Sequence, residues 1–193
     1  MSSPNLSATA SAHERTRRPA GRPAGRGAER WPAQAVALLT GSTSGLGKEL
    51  FIQLCRAGAA VHVLVHPRHD RTTSWTAEAD GHAASVTVCD LADPQQTEAA
   101  AAHIARSVPE LNTLILCAGI SAYGPVDQLS WRVVQEVIVV NYLANAIVVH
   151  ALLPRLRAQP QARIIGIGSG AALLGLRGTS AYAASKAAFQ SLC

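Results

Sequence analysis

The chain has 193 residues, a length that suits one domain with a hydrophobic core. Hydrophobic residues make up 48% of it and charged residues 15%, proportions typical of a soluble α/β protein. The formal net charge of +5 does not indicate nucleic-acid binding, because residues 1–34 contain six arginines and two glutamates and so carry +4 of it. No run of 18 apolar residues occurs, so no membrane span is expected.

The first segment, residues 1–34, consists mainly of Pro, Gly, Ala, Ser and Arg. It contains almost nothing to bury, which predicts a disordered tail. We favour an inert tail or an over-long start, with targeting and anion binding as alternatives. Arg17-Arg18 suggests an export signal, but no apolar stretch follows it and no amphipathic helix carries the arginines.

Four cysteines occur at scattered spacings, and all but the last lie inside apolar elements. They are Cys55, Cys89, Cys117 and Cys193. This pattern indicates buried, reduced thiols in a cytoplasmic protein. The seven histidines show no ligand spacing either, so no metal site is expected.

A strand, a glycine-rich loop and a helix open the ordered part of the chain. The apolar run 35–40 predicts a buried parallel strand, and residues 48–57 have helical periodicity. The glycines between them allow the backbone to approach a pyrophosphate, and the helix N-terminus supplies N–H groups and a positive dipole. The candidate cofactor-binding residues in this loop are Gly41, Thr43, Ser44, Gly45, Leu46 and Gly47. Ordinary turn glycines are the alternative interpretation.

A second strand, residues 60–65, follows the C-cap candidate Gly58 and completes a βαβ unit. A carboxylate after such a strand binds the ribose 2′-hydroxyl of NAD and repels the 2′-phosphate of NADP. This chain has no acid there and instead has His66 and Arg68, two candidate partners for a 2′-phosphate. The sequence therefore favours NADP(H) over NAD(H), although the glycine loop contains no cation.

Two further strands are predicted at 83–89 and 112–117, with a helix from Asp93-Pro94 to about Val108 between them. Asp90 and Leu91 end the third strand, where a carboxylate can accept a hydrogen bond from an adenine amino group. An Asp that begins the next turn is the alternative. Ala118 and Gly119 end the fourth strand and allow the chain to pass close to a ligand.

A long helix from Ser130 to about Gln159 has apolar residues on more than one side. We expect it to be buried against the sheet and against a partner subunit. Asn141 lies in its middle, and a buried amide must find hydrogen-bond partners. Either a role in a functional site or a satisfied structural polar group accounts for it.

The last elements are a fifth strand at 163–168 and a helix that includes 181–189. Tyr182 and Lys186 are four residues apart on that helix and so share one face. An ammonium group beside a phenol favours its ionised form, which makes the pair suited to acid–base chemistry. Ser169 follows the fifth strand, and we expect its hydroxyl to point into the same pocket and hold a substrate oxygen. An exposed helical pair is the alternative for Tyr182 and Lys186.

These motifs occur in one order, with Tyr182 thirteen positions after Ser169, and the chain resembles the short-chain dehydrogenase/reductase family over about residues 35–193. The resemblance implies an α/β doubly wound parallel sheet, the Rossmann fold, with NADP or NAD as cofactor. It implies a hydride transfer between nicotinamide and an alcohol or carbonyl substrate, with Tyr182 as acid–base. Lys186 then assists Tyr182 and holds the nicotinamide ribose, Ser169 orients the substrate, and Asn141 supports a water-linked proton relay.

Two departures from the family pattern affect these expectations. Cys117 stands before Ala118-Gly119 where the family has an asparagine, so a strand-bridging amide is lost. The chain also stops seven residues after Lys186, and the family continues with more strands. We therefore expect a C-terminally truncated sheet, and a chain that alone is poorly stable, oligomeric or aggregated, and inactive. A non-catalytic dinucleotide-binding or interaction remnant of the same fold is the alternative function. A longer, complete form is expected to be a homo-oligomer acting on a small molecule, without nucleic acid or membrane.

Overall fold

The computed structural model describes residues 32–69 and 84–193, which form one parallel sheet with helices on both faces. The strands are β1 (Val36–Thr40), β2 (Ala60–Val65), β3 (Ala84–Val88), β4 (Thr113–Leu116) and β5 (Arg163–Gly166). The helices are α1 (Gly45–Arg56), α2 (Pro94–Ser107), α3 (Trp131–Arg157) and α4 (Ser180–Leu192). The strand order is β3-β2-β1-β4-β5, which confirms the predicted doubly wound order.

The central strands are buried on both faces because helices cover both. Along β1, Leu38 packs into one hydrophobic cluster and Leu39 into the other, as the alternation of side chains in a strand requires. Residues of α1, including Phe51, cover the face that contains Leu39. Residues of α2, α3 and α4, including Ile104 and Leu152, cover the face that contains Leu38. All strands run parallel, so their carboxyl ends meet at one edge of the sheet.

Most predicted boundaries agree with the structure within one to three residues. β2 has the predicted bounds, and α2 begins with Pro94 after the N-cap Asp93, whose carboxylate accepts hydrogen bonds from the next turn. Helix α1 begins at Gly45, three residues before the predicted start, so its first residues include the last glycines of the loop. β5 ends at Gly166, two residues short of the prediction. The predicted tail up to residue 31 and the first residue of the third strand lie outside the described residues.

Helix α3 departs from the prediction of one uniform α-helix. It consists of Trp131–Ile138, a π-helical turn at Val139–Leu143, and Ala144–Arg157. By length and composition it is apolar enough to cross a membrane, with a mean hydropathy of 1.9, although no strict run of 18 apolar residues exists. Its later part contributes Val148, Leu152 and Leu156 to the core, and 39% of its most apolar 18-residue window is buried.

The buried hydroxyl of Thr40 joins the carboxyl ends of β1 and β4. Its Oγ1 accepts hydrogen bonds from the backbone N–H groups of Cys117, at 3.1 Å, and Ala118, at 3.0 Å. Thr40 is 1% exposed, so water cannot replace these bonds. The two strands are therefore bridged from β1, at the place where Cys117 provides no side-chain amide.

We expect Gly166→Ala to destabilise the fold, because an added Cβ would lie 2.7 Å from Cys193 Sγ and 2.8 Å from Phe189 Cζ. Overpacking of this kind costs about 1–3 kcal/mol. Gly168→Ala is the matched control, since no atom lies within 4 Å of a Cβ built there. Urea unfolding of both variants measures the difference, and equal midpoints would contradict the close packing of α4 on β5.

We expect Thr40→Val to destabilise the fold more than Thr40→Ser. Valine has a similar shape but leaves two buried N–H groups without an acceptor, and each loss costs about 1–3 kcal/mol. Serine keeps the hydroxyl and loses only a methyl group. Thermal and urea unfolding of the two variants test this, and a valine variant as stable as the serine variant would show that the bridge contributes little.

Candidate active site

A cleft of about 730 Å³ lies at the carboxyl edge of the sheet, a size typical of a site for a small molecule or cofactor. The glycine loop, the ends of β2, β3 and β4, and residues of α3 and α4 form its walls. Every predicted cofactor-binding residue lines it: Gly41, Thr43, Ser44, Gly45, Leu46, Gly47, His66, Arg68, Asp90, Leu91, Ala118, Gly119, Tyr182 and Lys186. The parallel strands thus bring together residues that are far apart in sequence.

The glycine loop forms a backbone cradle that has no room for a side chain at two of its glycines. A Cβ on Gly41, whose φ is +74°, would lie 2.7 Å from Ala118 Cα. A Cβ on Gly47 would lie 1.9 Å from the carbonyl oxygen of Gly41. Within the described part of the chain, the buried hydroxyl of Ser42 has no hydrogen-bond partner. Bare backbone beside the N-terminus of the twelve-residue helix α1 suits the pyrophosphate of a dinucleotide.

His66 lies between Arg68 and Asp90 in the part of the cleft that the ends of β2 and β3 form. The backbone N–H of Arg68 donates to His66 Nδ1 at 3.1 Å, so a neutral ring carries its proton on Nε2. That nitrogen lies 3.6 Å from Asp90 Oδ2. The other carboxylate oxygen of Asp90 accepts a hydrogen bond from Ala92 N–H at 2.9 Å. The predicted 2′-phosphate partner is therefore already beside a carboxylate.

A backbone carbonyl in the segment after β5 holds the side chain of Lys186. Its Nζ donates to the carbonyl oxygen of Ile167 at 2.9 Å, and the side chain is only 6% exposed. Burial lowers the pKa of Lys186, and the neighbouring thiols of Cys117 and Cys193 partly oppose that effect. The ammonium also lies 5.2 Å from the centre of the Phe189 ring, within cation–π distance.

Tyr182 lies in the first turn of α4 and lines the same cleft as Lys186. The helix dipole is positive at this end, which favours a negative charge on a group placed there. The thiol of Cys117 lines the cleft as well, and burial raises its pKa. Tyr182 and Lys186 thus line the same cleft as the glycine cradle.

Asn141 and Ser169 have a different relation to the cleft, since neither is among the described residues that line it. Asn141 is fully buried, and its side-chain amide binds the backbone of Ile120 and the hydroxyl of Ser185. Ser169 Oγ accepts a hydrogen bond from Ala171 N–H at 3.2 Å, which caps the 3₁₀ turn Gly170–Ala172. Its neighbour Gly168 lines the cleft. The roles of Asn141 and Ser169 stay predictions.

Several site contacts were not predicted from the sequence. The pairing of His66 with Asp90 follows from the parallel register of β2 and β3, in which Val65 lies opposite Val88, so the two strand ends could have been placed together. Ser185, next to Lys186, also had a usable signal, since it lies three residues after Tyr182 on the same helix. No sequence signal predicts that the carbonyl of Ile167 and the side chains of Tyr123 and Glu136 lie in the cleft wall, because loop paths and helix tilt place them there.

Comparison with known proteins shows a consistent relationship. A family model described as short chain dehydrogenase matches residues 35–193. Dehydrogenase/reductase SDR family member 7B of Mus musculus is 34% identical over 161 residues, which is 81% of this chain and 50% of that protein. The 1-deoxy-11-beta-hydroxypentalenate dehydrogenase of Streptomyces exfoliatus is 34% identical over 158 residues, covering 78% of this chain and 56% of that protein. The chain thus spans about half the length of these curated relatives.

Solved structures agree with the sequence comparison. A Beutenbergia cavernae protein with NADP bound at low occupancy superposes with a TM-score of 0.76 at 31% identity, covering 82% of this chain and 63% of that one. A short-chain dehydrogenase of Burkholderia cenocepacia in complex with NADP gives a TM-score of 0.74 at 28% identity, covering 82% and 65%. The sheet order, the glycine cradle and a family match that extends from residue 35 to residue 193 lead to one conclusion: this chain belongs to the short-chain dehydrogenase/reductase family.

Proposed function

We propose that this chain is the dinucleotide-binding and catalytic part of an NAD(P)-dependent oxidoreductase that interconverts an alcohol and a carbonyl compound. The observation that carries the proposal is the shared cleft, which Tyr182 and Lys186 line together with the glycine cradle of Gly41 and Gly47. A dinucleotide extended along this cleft would place its pyrophosphate at the N-terminus of α1 and its nicotinamide near Tyr182. NADP-bound relatives of the same fold support this choice of cofactor.

The bound cofactor would supply the carbon that accepts or donates hydride. Tyr182 would give a proton to the substrate oxygen during reduction and take one from it during oxidation. An ammonium group has three donors, and Ile167 engages one Lys186 donor, which leaves two for the ribose and for the field around Tyr182. Ser169 would orient the substrate oxygen, and Asn141 would support a water-linked proton relay.

For the cofactor, we propose NADP(H) in preference to NAD(H). His66 and Arg68 line the cleft after β2, where no carboxylate stands in sequence. The nearby Asp90 opposes this preference, because its carboxylate lies 3.6 Å from His66 and repels a phosphate. The guanidinium of Arg68 is therefore the main candidate for a charge-assisted contact with the 2′-phosphate.

A second candidate function is a dinucleotide-binding or interaction module of the same fold that does not turn over. Two observations favour it: Ser169 does not line the cleft, and Cys117 replaces an amide beside it. Purified chain assayed for both cofactor binding and carbonyl reduction separates the two functions. Binding with reduction supports the enzyme, and binding without reduction supports the module.

The setting of the proposed enzyme follows from its composition and surface. We propose a cytoplasmic protein that acts on a small molecule, binds neither nucleic acid nor membrane, and is a homo-oligomer in its complete form. The exposed apolar side chains Trp131, Val133 and Leu143 on α3 support a partner subunit on that helix.

In an active form of this protein, we expect Tyr182→Phe to abolish turnover while cofactor affinity changes little. The phenol hydroxyl acts only on the substrate proton, and loss of general acid–base catalysis typically costs about 10²–10⁴-fold. Lys186→Ala is the comparison variant and should impair both turnover and cofactor binding. Steady-state kinetics with fluorescence titration of the reduced cofactor measure both effects. Near-normal turnover of Tyr182→Phe would show that the acid–base group is assigned wrongly.

We expect NADPH to bind more tightly than NADH, and Arg68→Ala to weaken NADPH binding selectively. Loss of a hydrogen bond to a charged group costs about 1.5–3 kcal/mol, or roughly a 10- to 150-fold change in dissociation constant. NADH, which lacks the 2′-phosphate, is the internal control and should bind both proteins equally. Tighter binding of NADH to the unmodified chain would contradict the preference.

A further inference from the structure

The π-helical turn of α3 at Val139–Leu143 needs support from side chains. Within it, the backbone N–H of Ala144 donates to the carbonyl of Val139, five residues back instead of four. Because of this change in hydrogen-bond register, one backbone carbonyl loses its usual N–H partner, and the hydrogen-bond geometry is poorer than in an α-turn. No proline or glycine lies in Val139–Leu143 to force the change. Contacts made by side chains must therefore stabilise the turn.

Asn145 supplies such contacts. Its side chain is 3% exposed, and Nδ2 donates to the carbonyl of Asn141 at 2.9 Å. The same nitrogen lies 3.4 Å from the carbonyl of Val140. Both carbonyls belong to the π-helical turn, so one amide group serves two acceptors at the place where backbone donors are displaced. An apolar residue at this position would leave them with no side-chain donor.

The π-helical turn also positions the side-chain amide of Asn141. Asn141 Oδ1 accepts from the N–H of Ile120 and Nδ2 donates to the carbonyl of Ile120, both at 2.8 Å. Nδ2 also donates to Ser185 Oγ at 2.9 Å, and that hydroxyl donates to the carbonyl of Tyr182 at 2.7 Å. One buried chain of hydrogen bonds thus joins the loop after β4 to the first turn of α4.

This chain of bonds lies directly behind the cleft. A Cβ on Gly119 would lie 3.2 Å from Asn141 Oδ1 and 3.5 Å from Lys186 Nζ, so both side chains abut the same backbone. A shift of Asn141 would therefore displace the loop after β4 at Gly119, where this loop lies against Lys186.

We infer that Asn145 is a positioning residue: by donating to the carbonyls of Val140 and Asn141, it holds the π-helical turn and so keeps the Asn141 amide between Ile120 and Ser185. Asn145 does not line the cleft and acts only through Asn141. Its effect on turnover rests on the proposed function, but its effect on the local hydrogen bonds does not.

The matched variants Asn145→Thr and Asn145→Val test this inference on the full 193-residue chain. Threonine and valine have the same shape, and only threonine can donate from its hydroxyl to the carbonyl four residues back. The readout is hydrogen exchange of the Ile120 amide, followed by NMR. We expect exchange about five- to tenfold faster in the valine variant, corresponding to one lost hydrogen bond, and near-normal exchange in the threonine variant.

The Ala118 amide, which donates to Thr40 Oγ1, is the internal control and should exchange at the same rate in all three proteins. Equal Ile120 exchange in the two variants would overturn the inference, as would acceleration at Ile120 and Ala118 alike. If the valine variant does not fold, Asn145→Ser and Asn145→Ala give the same comparison with smaller side chains. The exchange readout needs no turnover, so exchange decides the role of Asn145 whether or not the 193-residue chain is active, and the cofactor-binding and reduction assays decide the proposed function separately.

Discussion

The structure depends on the close approach of two backbone segments at the carboxyl edge of the sheet. The turn after β1 passes so near the turn after β4 that a Cβ on Gly41 would lie 2.7 Å from Ala118 Cα. The hydroxyl of Thr40 holds the same two segments together through two buried N–H groups. A cofactor can approach the helix N-terminus of α1 only because these segments present bare backbone to it. The glycines and Thr40 therefore act together to hold these two segments in place.

A second group of residues lies behind the cleft and joins α3 to α4. It consists of buried polar side chains, which are costly unless every donor and acceptor finds a partner. Asn141 satisfies its amide on Ile120 and Ser185, and Asn145 satisfies its own on two helix carbonyls. A fully bonded buried network has one low-energy arrangement, so it holds the loop after β4 and the helix of Tyr182 in register. Rigidity at this place would serve the catalytic role that we propose for Tyr182.

Charge in the cleft is arranged at its two ends. Lys186 is nearly buried, its ammonium lies beside the Ile167 carbonyl and the Phe189 ring, and this desolvation lowers its pKa. Such a charge interacts strongly with any anion brought beside it, because little water remains to screen it. At the other end, His66 and Arg68 stand beside Asp90, so positive and negative groups meet where the adenosine would lie. Cofactor choice there is a balance between them.

The sequence alone predicted the positions of the strands and of the glycine loop, and the residues that it proposes for cofactor binding all line the cleft. These predictions follow from apolar runs, glycine spacing and the meeting of parallel strand ends at one edge, while the strand order follows from the resemblance to the family. Tertiary structure decided the rest. The amide of Asn141, in the π-helical turn, bonds to Ile120, 21 residues away, and to Ser185, 44 residues away, partners that only the fold brings to it. Likewise Ser169 caps its own turn, and Lys186 finds a carbonyl 19 residues back, contacts that depend on loop paths which local periodicity does not encode.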